Sequence, residues 1–237
     1  MKYKLTDETM NTESGVLLHR IECVKSFGNV RAGDVGGWIE EEENLSQRDD
    51  CWVYDNAQVY GNARAYGNAR VGNNAQVCGN ALVGNAEVCG NAQVYGNARV
   101  CDNAEVCGNA EVYGNARVSG SALVSDNARV YGNARVYGNA LVYGNAEVYG
   151  NAEVYGNAEV CGNDVIGNSN DYIVFKNSWS SGRYFTWTRS NDMWKVGCFY
   201  GTGKDLIEKA YKDSKLSGDC YKAYVELIEK LKEQQKQ

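Results

Sequence analysis

Apolar residues recur six apart through almost half of the chain. Valines stand at 53, 59, 71, 77 and 83, with Ala65 in the same phase. After one five-residue step the series resumes at Val88 and runs through Val94, Val100, Val106, Val112, Val118, Val124, Val130, Val136, Val142, Val148, Val154 and Val160 to Ile166. A small residue, nearly always alanine, sits two places before each, and Gly-Asn or Asp-Asn separates the units. In Ala116-Arg117-Val118, alternate side chains of a short strand point to opposite faces, so Ala116 and Val118 turn inward and Arg117 outward. Gly and Asn supply the tolerant backbone of a corner, because both reach positive φ at low cost. One unit cannot bury its own inner face. Stacked units can, at about 4.8 Å per coil, with backbone groups pairing from coil to coil. The period is too short for helical repeats and wrong for a heptad, so it predicts a narrow β-solenoid over residues 51–169.

An aliphatic residue, a small residue two before it and a period of six together resemble the hexapeptide-repeat proteins. That resemblance implies a left-handed parallel β-helix of triangular section, three units per coil, against the usual right-handed crossover rule. About nineteen units then give about six coils. The residue after the valine, often Gly in that family, is mostly Tyr or Cys here. With three units per coil the outward positions sort into ladders. One face stacks Tyr95, Tyr113, Tyr131 and Tyr149; a second stacks Arg99, Arg117, Arg135 and Glu153. The third carries Leu123 and Leu141 beside Tyr143, with Cys89 above Cys107. An aromatic face beside a basic one could stack nucleotides, or could simply be good cross-strand neighbours with solvated charge. Leu123, Leu141 and Tyr143 form a candidate self-association face.

Residues 1–50 read as an N-terminal β cap, which a solenoid needs over its open first coil. Val16–Val24 has the alternation of a strand, and Gly36-Gly37-Trp38 reads as a turn and a plug over the core. Leu17-Leu18-His19-Arg20, Gly36-Gly37-Trp38-Ile39, Leu45-Ser46-Gln47 and Cys51 to Ala57 resemble the opening of uncharacterised bacterial hexapeptide proteins labelled acyltransferase-like. Residues 170–237 predict a small α+β domain. Three strands are expected at Tyr172–Phe175, Tyr184–Arg189 and Trp194–Phe199. A helix starts at Thr202 with Asp205 three residues on, and a second starts near Ser217. Asn170-Asp171-Tyr172, Gly197-Cys198-Phe199 and Gly201-Thr202 resemble a small domain that follows hexapeptide coils in phage and prophage proteins.

Charge changes this picture little. Of a net charge of -6, residues 1–50 carry 6 basic and 11 acidic side chains, 51–165 carry 6 and 10, and 166–237 carry 12 and 9. A mildly basic tail on an acidic rod lacks the basic excess of a general nucleic-acid binder. There is no proline, where about 5% is usual. The first twenty residues hold no apolar run of a signal peptide, and no stretch is long enough to span a membrane. Nine cysteines without Cys-x-x-Cys pairs predict no metal site and reduced thiols in a cytoplasm, the host's if the protein is phage-encoded.

Candidate chemistry is sparse. Hexapeptide acyltransferases are expected to use a histidine projecting from the coil as general base; the one histidine here, His19, falls in the cap, so no catalytic residue and no cofactor are expected. Gly201, Thr202 and Lys204 follow a strand and open a helix, a candidate anion site, though the full phosphate loop is missing. Arg183, Tyr184, Trp187, Arg189 and Lys195 form a candidate basic, aromatic surface for a phosphate-bearing ligand or an acidic partner. The expectation is a non-catalytic binding protein of phage or prophage type. Its coil is a scaffold, its tail domain the recognition part, and its partner a host protein, a defence protein for example, or a sequestered nucleotide signal. A dimer or trimer is expected. The alternative is a self-assembling structural rod.

Overall fold

The computed structural model describes residues 1–234; the last three residues of the expected tail domain lie outside it. Residues 38–166 wind into a parallel β-solenoid of about seven turns with three sheets. Each unit contributes a two- or three-residue strand, and the inward Ala and Val side chains are almost all fully buried. One valine per unit leaves water, worth roughly 1.5–3 kcal/mol each, so the coil is held by a continuous apolar column. The sheets pair Gln93 with Glu111 and Arg129 with Glu147 on one side, Arg99 with Arg117 and Arg135 on the second, and Leu123 with Leu141 on the third. The expected ladders therefore form in register.

The corners divide labour in a way the sequence reading did not expect. Except at Gly84-Asn85, where Asn85 takes it, the residue at positive φ is the first of the pair, Gly96 at +69° for example, or an Asp or Asn in its place such as Asp102. The following Asn instead joins a side-chain ladder. Asn91, Asn109, Asn127, Asn145 and Asn163 each hand an amide proton to the next at 3.0–3.2 Å. At the single five-residue step, Gly84 lies under the Tyr66 ring, where a Cβ would meet ring carbons at 2.4–2.5 Å. A larger residue there would have to displace the exposed Tyr66 ring.

The coil begins earlier than expected, which is why it has about seven turns and not about six. Val35–Ile39 is no plug but a strand: Trp38 and Ile39 pair in parallel with Gln58 and Val59. Leu45 bridges to Ala65 on another sheet. Gly36 and Gly37 allow this close approach, since a Cβ on Gly37 would meet Ala57 O and Val53 Cγ1 at 2.6 Å. The antiparallel strands Tyr3–Asn11 and Leu17–Cys23 extend the same sheet to ten strands. Asn44 closes another corner: its amide donates to Gly61 O and Ala63 O, while its oxygen accepts from the Glu40 and Glu41 N–H groups. Tyr3 and Phe27 cover Trp52 edge-on.

The tail domain is an antiparallel sheet of four strands, one more than expected, with two helices. Tyr172–Lys176, Tyr184–Thr188, Met193–Val196 and Phe199–Thr202 follow in order. The expected third strand is a hairpin that reverses at Gly197, φ +56°. Helices Gly203–Asp213 and Lys215–Gln234 pack on one side, and the core holds Phe185, Trp187, Trp194, Leu206, Ala210, Tyr221 and Ile228. The other side of the sheet closes the solenoid. Among the described residues no helix is long and apolar enough to cross a membrane.

Candidate functional site

The last coil leaves backbone groups with no further coil to pair with, and side chains of the tail domain take them up. Thr186 Oγ1 accepts the Glu159 N–H at 2.9 Å, and Ser190 Oγ accepts that of Val165 at 2.9 Å. The Tyr172 hydroxyl accepts from Tyr155 N–H at 3.3 Å and donates to Glu153 O at 3.1 Å. Buried Asp164 accepts from Thr188, Asn191 and Tyr200 on one oxygen and from the Cys161 N–H on the other. The segment Phe185–Thr188 is consequently buried on both faces, aromatics toward the helices and threonines toward the coil.

This docking brings two separately predicted groups together. The Leu141 face of the coil meets Arg183 and Tyr184 of the tail in a groove of about 240 Å³, also lined by Asn139, Asn157, Glu159 and Gly197. Lys195 Nζ lies 3.8 Å from Glu159 Oε2 and 5.8 Å over the Tyr143 ring, and donates to Gly197 O. The Tyr143 hydroxyl donates to the same Glu159 oxygen at 3.5 Å; burial, then Cys161 and Glu159, raise the Tyr143 phenol above its ordinary value. Lys195 and Glu159 thus pair with each other beside the groove. Arg183 is exposed and, among the described residues, makes no ion pair. An unpaired guanidinium beside a tyrosine and a leucine suits a carboxylate or phosphate with an apolar neighbour.

The other predicted residues fall elsewhere. Arg189 is six residues from Arg183 along an extended strand, about 20 Å, and lines a separate recess of about 590 Å³ with residues 168–173. Trp187 is buried, its indole N–H on Asp192 Oδ1 at 2.8 Å, and is no part of a surface. Alternation along Tyr184–Thr188 puts Trp187 on the face opposite Tyr184, and that face packs in the tail core. Gly201 is buried, Thr202 caps its helix reciprocally with Asp205, and Lys204 is exposed near Glu208. The Asp205 carboxylate already stands where an anion would bind, so these three form no anion site. His19 pairs with Thr9 and Ile39 in the cap sheet. On the coil, Tyr95, Tyr113, Tyr131 and Tyr149 stack on each other at 4.9–5.4 Å. Inner rings have both faces taken, which leaves a nucleobase no place to insert.

Comparison with known proteins concerns the coil. Residues 57–73, 92–108, 110–126, 122–136, 128–144 and 134–150 match the family model of the YdcK beta solenoid repeat. A curated relative is the uncharacterized acetyltransferase YdcK of Escherichia coli strain K12, 39% identical over 61 residues. That match covers 23% of this chain and 19% of the relative's length. The coil is thus similar to the YdcK beta solenoid repeat, and both likenesses are confined to part of the chain.

Proposed function

We propose that this protein is a non-catalytic binding protein whose solenoid is a rigid scaffold and whose recognition surface is the groove between the Leu141 face and the tail sheet. The observation that carries this reading is the exposed, unpaired Arg183 guanidinium beside Tyr184 and Leu141. Its ligand would be an acidic segment of a protein or a phosphate-bearing small molecule. The phage-like company of the tail domain favours a host partner and interference with a host process. The relative is named an uncharacterized acetyltransferase; the one histidine here, His19, lies on the strand added beyond the first coil and not on a later coil, which weighs against carrying that activity over.

A second reading, a self-assembling rod or small homo-oligomer, draws on Leu123 and Leu141, stacked on adjacent coils of one face. One experiment addresses both. Native mass spectrometry of protein purified from bacterial cells should show retained partner or added mass, lost in Arg183→Ala and kept in Arg189→Ala. Equal retention in both variants would remove the groove as the site. An unliganded oligomer abolished by Leu123→Glu with Leu141→Glu would favour the rod.

A further inference from the structure

The tripeptide Glu-Val-Cys occurs at residues 87–89 and again at 105–107, one coil later. The two segments stack in register, Glu87 opposite Glu105 and Val88 opposite Val106, and the Cys89 N–H donates to Val106 O at 2.9 Å. Two like charges directly opposite each other destabilise a sheet. Among the described residues neither carboxylate makes an ion pair. Glu105 and Cys107 are two apart in an extended segment and project to the same side. The two sulfurs and a Glu105 carboxylate oxygen all lie within 4.8 Å of one another. The period already stacks Cys89 over Cys107; what the structure adds is the Glu105 carboxylate beside both sulfurs.

We propose that Cys89, Cys107 and Glu105 bind a thiophilic divalent cation of the Zn²⁺ class, with Glu87 next in line for the fourth position. Two sulfurs and a carboxylate suit Zn²⁺ far better than Mg²⁺ or Ca²⁺. At Zn–S of about 2.3 Å a tetrahedral ion holds its sulfurs about 3.8 Å apart, which small side-chain rotations reach from the observed cluster. Burial first, then the Glu105 charge, pushes the Cys107 thiol up to about 12. Burial, then Glu87 and Glu105, raises Cys89. Binding must release both thiol protons, so affinity rises with pH.

The test is a Co²⁺ titration of the reduced, full-length chain. A near-ultraviolet sulfur-to-cobalt charge-transfer band should saturate at one equivalent and disappear when Zn²⁺ is added. Cys89→Ser with Cys107→Ser should abolish it, and Glu105→Gln should weaken binding at least about tenfold. The coil tolerates these changes: Ser119 and Ser125 already fill the cysteine position of other units, and Gln58, Gln76 and Gln93 the glutamate position. No band at stoichiometric Co²⁺, or a band that survives the double serine variant, overturns the proposal.

Discussion

The two ends of the solenoid solve one problem with different chemistry. At the N-terminal end, backbone mostly continues backbone: Val35–Ile39 adds a strand to the coil and a hairpin adds two more. At the C-terminal end a separate domain presents hydroxyls and a carboxylate to the last coil's orphan groups. Both cover an end of the apolar column, although Tyr3–Asn11 itself is an edge strand. They fail differently, however. A strand added in register depends on close backbone approach, whereas a side-chain cap depends on each acceptor being present and in the right ionic state.

The largest effect is expected at the C-terminal end. Asp164→Ala would strip four donors, three side-chain groups and the Cys161 N–H, of one buried acceptor. The cost should be about 3 kcal/mol or more, read as a lowered denaturation midpoint with loss of hydrogen-exchange protection in the final coil. A wild-type midpoint would mean the tail domain merely sits on the coil. Gly37→Ala tests the other end. The new methyl would meet the Ala57 carbonyl and Val53 at 2.6 Å, costing about 2 kcal/mol, with protection lost around residues 36–59 and the tail domain unaffected. Protection lost at both ends together would instead show that the solenoid unfolds as a single unit.

The smallest effect is a pH dependence confined to the C-terminal end. Burial pushes the Tyr172 phenol from its ordinary 10.0 up to about 12. A folded-state pKa above the unfolded one means stability that is full below about pH 10 and lost as pH rises toward 12. The advantage in Tm of wild type over Tyr172→Phe should therefore hold at neutral pH and vanish by about pH 12. A constant difference would remove the hydroxyl from the cap.

How legible these features are in the sequence follows from how local their causes are. The ladders of Tyr95, Arg99 and Leu123 could be read because a fixed period converts sequence distance into spatial stacking. The hairpin at Gly197 could not, since an apolar run from Trp194 to Phe199 looks like one strand until a positive φ breaks it. Trp187 was misplaced because its face of Tyr184–Thr188 is covered by the two helices, a packing that the strand's own residues do not announce. The meeting of Arg183 with Leu141 depends on domain docking, for which the chain carries no periodic signal. Cys89 and Cys107 were already aligned by the same arithmetic as the tyrosines, but a search for short cysteine motifs passes over them.

The repeat also makes length a quantity that changes in fixed steps. Ladder partners recur at 18 residues for most of the column. Duplicating or deleting one such block would lengthen or shorten the molecule by about 4.8 Å and leave the inward Ala and Val side chains over partners of their own kind through most of the column. A block of six would instead break the ladders at the joint and turn the N-terminal end by a third of a revolution relative to the tail domain. Near-identical neighbouring units are the substrate on which genetic slippage acts, so the distance between the two capped ends can drift without cost to either, while their relative bearing stays fixed.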